Sequence, residues 1–174
     1  SKSQSGKKLS RQIDNQRFGF TAKIITGKRS DIYGELMAFI MKQRSQKENF
    51  TIIPPEVEDA RGTASGIPHG TASAGDTSIT LGGTGTGTLK AGDMIKFANH
   101  SKVYMVVADQ SDISTGTLTI EPPLTTAVSS IDITYDNVPF TVHLTNDIQE
   151  FGVAGADKDG NALYQFEFDV EESL

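Results

Sequence analysis

Residues 82–107, GGTGTGTLKAGDMIKFANHSKVYMVV, constrain the fold of this 174-residue chain more than any other stretch. A glycine-rich run that opens a helix can cradle phosphate, whereas one that leads into short apolar runs belongs to a β-barrel corner. The phosphate-loop pattern needs a lysine directly after its last glycine. Gly82 and Gly87 have the required separation, but Thr88 and Leu89 follow. The dinucleotide pattern also fails, because Thr88 stands where a third glycine would follow Gly83 and Gly85. A barrel corner fits every part of the stretch. Gly92-Asp93 suits a tight turn before a strand, Asn99-His100-Ser101 suits a hairpin, and KVYMVVAD returns antiparallel. The Gly-Thr alternation weakens strand formation and gives this corner a flexible edge.

The rest of the composition agrees with a mainly β fold. Seventeen glycines, many Thr and Ser residues and only 36% hydrophobic residues point to strands and turns with exposed faces. The absence of cysteine excludes disulfides, thiolate metal sites and a thiol nucleophile. A formal charge of −6 disfavours non-specific binding to nucleic acid. Eight of the 16 Lys and Arg residues precede residue 30, in a basic arm that is either a solvated terminus or a contact for an acidic partner. No apolar run approaches the ~18 residues needed to cross a bilayer, so membrane insertion is not expected. No signal-peptide pattern is present; the sequence opens on Ser rather than Met, which leaves a preceding segment open.

Along the chain, QRFGFTAKII (16–25) alternates as a half-buried strand. The stretch 30–44, SDIYGELMAFIMKQR, is the one convincing helix. Ser30 is its expected N-cap, with Asp31 and Glu35 near the positive end and Lys42 and Arg44 near the negative end. Ile32, Leu36, Phe39 and Ile40 share its apolar face, and Met37 and Met41 read as core filler. NFTIIPP (49–55) is a further strand stopped by prolines. Residues 56–75 lack periodic apolar residues and read as a long linker. From Thr77, five short strands follow at close spacing, and VPFTVHL and YQFEFDV return to long alternation. The middle of the chain reads as a small barrel, the two ends as parts of one larger sheet.

Little in this pattern requires chemistry. DKDGN (157–161) departs from a calcium loop, because Gly160 falls at position four and Phe168 at position twelve. A hairpin turn on Asp159-Gly160 is the better reading. His69, in the linker, His100, in a hairpin turn, and His143, on a strand, lack metal-ligand spacing. No G-x-S-x-G elbow marks a nucleophile. The expectation is no catalytic residue, no cofactor and no metal.

Five segments in order carry a resemblance: SGKKLSRQIDNQRFGFTAKI (5–24), ELMAFIMKQRSQKENFTIIPP (35–55), GTLKAGDMIKFANHSKVYMVVAD (87–109), LTIEPPL (118–124) and VPFTVHL with YQFEFDVEESL (138–144, 164–174). The series resembles distal tail proteins of tailed bacteriophages that carry an inserted barrel. Two positions depart from the pattern. Phe18 stands where tryptophan is expected, leaving sheet packing to Phe18 and Phe20. Ser45 stands where glycine would close the helix with a left-handed turn.

The resemblance implies a β-sandwich with one flanking helix, built from residues 1–61 and 135–174, and a small OB-like β-barrel inserted as 62–134. It further implies a ring in the virion tail tip or baseplate, usually a hexamer, assembled in the host cytoplasm. Such a ring joins the tail tube protein to hub or fibre proteins and passes DNA through its lumen. The subunit contacts expected from charge are Lys7, Lys8 and Arg11 on one chain and Glu167, Asp169, Glu171 and Glu172 on the next. Other readings are a tail-tube initiator or tail-completion protein of similar fold, a small cell-wall hydrolase, and a carbohydrate-binding module that stacks Tyr33, Tyr104, Tyr135 and Tyr164 on sugars.

Overall fold

The computed structural model describes residues 16–148, 150 and 152–174. Over the described residues the fold is mainly β, with one α-helix, a closed barrel and a second sheet. In chain order the elements are β1 Gly19–Lys28, α1 Gly34–Lys42, β2 Phe50–Ile52, β3 Pro68–Ala72, β4 Ser78–Gly83, β5 Met94–Phe97, β6 Val103–Val106, β7 Thr117–Glu121, β8 Val128–Thr134, β9 Phe140–Leu144, β10 Gly152–Ala156 and β11 Ala162–Glu172.

Six strands close the barrel in the order β3-β4-β7-β6-β5-β8. Alternation directs Ile79 and Leu81 of β4, and Leu118 and Ile120 of β7, into its core. Ile95, Phe97, Tyr104, Val106 and Ile133 join them from the other strands. Phe97 needs the space over β3: a Cβ on Gly70 would lie 2.5 Å from its ring edge. The opposite alternation of β5 and β6 points Met94, Val103 and Met105 out of the barrel and into a second core under the other sheet. Both faces of these strands are thus covered, which is why DMIKF and KVYMVV read as nearly continuous apolar runs.

Outside the barrel, the described strands form one sheet in the order β1-β11-β9-β2. The long β11 pairs with β1 along one edge; on the other edge it pairs with β10 at 162–165 and with β9 at 170–172. The layer facing this sheet is α1 and the outward side of the barrel, where a sandwich would place a second sheet. Phe18 and Phe20 pack edge-on against Phe140, with ring centroids at 5.8 and 4.8 Å, and so supply the packing in place of a tryptophan. Each large apolar side chain buried here contributes about 1.5–3 kcal/mol.

The helix departs from expectation at both ends. It begins at Gly34 after a five-residue π turn, Arg29–Tyr33, because Asp31 has non-helical angles (φ −92°, ψ −125°). Ser30 is therefore not its N-cap; its hydroxyl donates to Asp31 Oδ1 at 3.2 Å. The stripe that packs on the core is Tyr33, Leu36, Met37 and Ile40, with Tyr33 and Ile40 buried and the other two half-buried. Phe39 lies beside it at 40% exposure, edge-on to Phe50, and Met41 faces solvent rather than the core. After the helix Arg44 and Ser45 adopt φ +52° and +63°, so the left-handed turn forms without glycine. The Ser45 hydroxyl reaches the segment after β9, where Asn146 O and Asp147 Oδ1 accept from it.

Two further expectations are corrected. Residues 56–75 are not wholly a linker, since Pro68–Ala72 form β3 in the barrel wall. The glycine-threonine run is not a loose edge either. Thr86 and Ser65 exchange backbone hydrogen bonds at 2.8 and 2.9 Å. A Cβ on Gly62 would meet Thr88 O at 1.9 Å, and one on Gly87 would meet Thr63 O at 2.1 Å. The glycines let two backbones touch.

Candidate functional site

The outward face of β1 and β11 gathers the expected acidic residues. Period-two alternation sends Phe166, Phe168 and Val170 inward and Glu167, Asp169 and Glu171 outward. Three cross-strand contacts tie these carboxylates to β1 and to Arg17, two residues before it. Arg17 Nη1 donates to Glu171 at 3.1 Å, Thr21 Oγ1 to Asp169 at 2.6 Å, and Lys23 Nζ lies 3.6 Å from Glu167. The two ion pairs are well exposed, so each contributes about 0–1 kcal/mol and orders the face more than it holds it.

Glu172 follows the inward parity and is a correction to the expected contact set. It is fully buried, accepting from Val103 N at 2.7 Å, from Phe18 N at 3.3 Å and from Lys102 Nζ. A side chain so enclosed offers nothing to a neighbouring subunit. Its alternation with Phe166, Phe168 and Val170 was readable in the sequence; its partner Lys102, 70 residues away, was not. The other half of the expected contact, Lys7, Lys8 and Arg11, lies outside the described residues.

Beside the outward face runs an open groove, bounded by the segment after β9, by β10 and by β11. Asp147, Glu150, Glu167 and Asp169 line it together with Ile148 and Val153, which are 77% and 66% exposed. The hairpin expected at Asp159-Gly160 implies a strand before it, but neither the bounds of β10 nor this groove was anticipated.

The two turns named from sequence are both built by carboxylates. Gly92 has φ +100°, and the buried Asp93 accepts from Lys90 N at 2.7 Å and Arg61 N at 2.9 Å. Asp109 accepts from Ala91 N at 3.0 Å and Lys90 Nζ at 2.8 Å, and these hydrogen bonds hold its carboxyl below the ordinary range. The amides a phosphate would need are already taken. At the β10–β11 hairpin Gly160 has φ +81°, and Asp157 organises the turn. Its carboxylate accepts from Asp159 N, Asn161 N and Asn161 Nδ2, each at 2.9 Å, and from Lys28 Nζ at 2.5 Å.

The histidines lie apart. His69 faces Asp132 at 3.1 Å through Nε2 and Ser130 Oγ at 3.3 Å through Nδ1. His69 and Asp132 are register partners on β3 and β8, so this is a cross-strand pair on the barrel wall. His100 stacks on Phe97 and bonds Asn99 Oδ1 at 2.6 Å and Tyr104 Oη at 2.8 Å. Burial, with Lys96 nearby, lowers its pKa below the ordinary value. Nδ1 then carries the proton, and Tyr104 donates to Nε2. His143 is on β9. Among the described residues no group of three or more His, Asp or Glu side chains converges to hold a metal. Tyr33, Tyr104 and Tyr135 are buried, and Tyr164 packs on Tyr33 at 5.8 Å, so the four do not form a sugar-stacking platform.

No curated protein matches the chain. Residues 59–135, a little under half of it, match the family model described as Distal tail protein pb9, B domain. That segment spans all six barrel strands, and over it the resemblance to phage distal tail proteins is borne out.

Proposed function

We propose that the protein is a structural subunit of a phage tail tip or baseplate, forming a ring that joins the tail tube to hub or fibre proteins. The match of the barrel segment to a distal-tail-protein domain carries this reading. The second sheet supports it. Among the described strands its outermost ones, β1 and β2, each have one partner in the sheet order, and a neighbouring subunit is one of the ways native proteins cover such edges. The two edges differ in length and sequence, so a contact that joins β1 of one copy to β2 of the next runs head to tail and closes into a ring when the rotation permits. A hexamer is the expected closure, assembled in the host cytoplasm and carried on the virion tail. Passing DNA meets a protein of net negative charge, which does not grip phosphates.

The role is non-enzymatic, and its test is assembly. Mixing the purified chain with its tail tube protein and imaging by negative stain is expected to give closed rings seated on tube ends. A chain that stays monomeric and unbound in that mixture sinks the proposal.

A further inference from the structure

We infer that the groove along the outward face of β11 is the docking site for the basic arm, residues 1–15, of a second copy of this chain; the inference rests on the ring reading above. Three observations lead there. The first is complementarity. The groove joins the carboxylates of Asp147, Glu150, Glu167 and Asp169 to the exposed aliphatic side chains of Ile148 and Val153. The arm carries Lys2, Lys7, Lys8 and Arg11 against the single Asp14. Its Lys7, Leu9, Arg11 and Ile13 are spaced by two, so an extended chain presents cation and aliphatic in turn on one side.

The second is direction. β1 runs from Gly19, opposite Glu171, to Lys28, opposite Leu163. The chain upstream of Gly19 is therefore launched past the C-terminal end of β11, away from the groove at 147–154. Docking on its own groove requires a full reversal, which a groove on a copy lying beyond the end of β11 does not. The third is reach. Fifteen extended residues span about 50 Å, enough to cross to an adjacent subunit of this size. Arm and groove are different surfaces, so the contact is head to tail, as a ring requires. Its ion pairs are exposed, and rising salt weakens them.

The test uses the full chain carrying Lys7→Glu, Lys8→Glu and Arg11→Glu as acceptor, and a fluorescent synthetic peptide of residues 1–15 as probe. Fluorescence anisotropy is expected to show saturable binding that weakens with salt and falls at least tenfold when Asp147→Lys and Glu150→Lys are added. Ile148→Ser, at a highly exposed position, serves as a second groove variant with no folding cost. Absence of saturable binding, or equal binding by both groove variants and their parent, overturns the inference. Carbodiimide cross-linking of mixed 14N and 15N wild-type chains identifies the occupant. Mixed-isotope links from Lys7 or Lys8 to Asp147 or Glu150 are expected, and links confined to one isotope overturn the second copy. Peptide binding by a chain that never forms rings with its tube leaves the groove assigned and sinks the ring; rings formed undiminished by the groove variants do the reverse.

Discussion

Lys102 donates its ammonium to the Glu172 carboxylate across the boundary between barrel and sheet, with 2% and 0% of the two side chains exposed. Lys102 immediately precedes β6, the return strand of the barrel hairpin, and Glu172 ends β11. The same carboxylate accepts from Val103 N on the barrel side and Phe18 N on the sheet side, and the ammonium lies 4.9 Å from the centre of the Phe18 ring. Burial lowers the Lys102 pKa, and the Glu172 hydrogen bond and charge partly restore it. Two modules thus share one enclosed polar contact.

Breaking one side of that contact is expected to be worse than removing both. Lys102→Ala or Glu172→Ala strands a buried charge, at a cost of about 3–5 kcal/mol. Lys102→Met with Glu172→Leu removes both charges but leaves the Val103 and Phe18 amides without their acceptor, so it is expected to cost less than either single change without reaching wild type. Urea unfolding of the four proteins decides this. Single variants within about 1 kcal/mol of wild type would contradict the burial of the pair.

Gly70 is expected to be intolerant for a packing reason. A Cβ there meets the Phe97 ring at 2.5 Å and an Ile79 methyl at 2.9 Å. Gly70→Ala should cost about 1–3 kcal/mol, as overpacking does in well-filled cores. Phe97→Leu creates space, so the two substitutions together should cost less than their sum. Strict additivity in a double-mutant cycle would place the strain elsewhere.

Acid is expected to loosen the β10–β11 hairpin through Asp157. Its hydrogen bonds with Lys28 and Asn161 hold its carboxyl far below the ordinary carboxylate value. A depressed carboxylate stabilises the fold fully above the unfolded-state pKa of about 3.9 and loses that contribution as pH falls toward the folded value. The stability gap between wild type and Asp157→Asn should be constant near neutrality and narrow below about pH 4. A gap independent of pH down to the acid limit would mean that the charge on Asp157 does not matter.

What was legible in the sequence follows from where side chains supply the pattern. β9 and β11 alternate long apolar and polar residues, and both were read correctly. β3 was missed because its buried positions are Pro68 and Gly70, and the barrel interior above Gly70 is filled from β5 by Phe97. β10, GVAGA, is exposed throughout and has no buried face to mark. The groove depends on β10 and on the segment after β9, so it was hidden for the same reason. Glu172 was grouped with its acidic neighbours by charge, although its parity placed it with Val170. Parity carried the information that charge obscured.

The barrel is proposed to be separable as residues 62–134, and the junction predicts how its removal goes. The passages into and out of the barrel lie side by side, with Asn137 N donating to Glu58 O at 2.6 Å and Ala60 N to Asp136 Oδ1 at 2.9 Å. A short Gly-Ser bridge can therefore replace 62–134 with little closure cost. The sheet does not come away clean, however. Met94 and Val103 leave its core, and Glu172 keeps its burial on the Phe18 side while losing Lys102 and the Val103 amide. The bridged chain is expected to retain β-type circular dichroism yet melt well below the full protein. Adding Glu172→Gln should recover part of that loss, because a neutral amide is cheaper to leave half-satisfied than a carboxylate. The same substitution in the full chain should destabilise it, since Lys102 then loses its counter-charge. Opposite signs in the two backgrounds identify the junction as the source of the loss, and equal signs refute that source; a bridged chain that is insoluble with and without the substitution refutes the separability of the barrel.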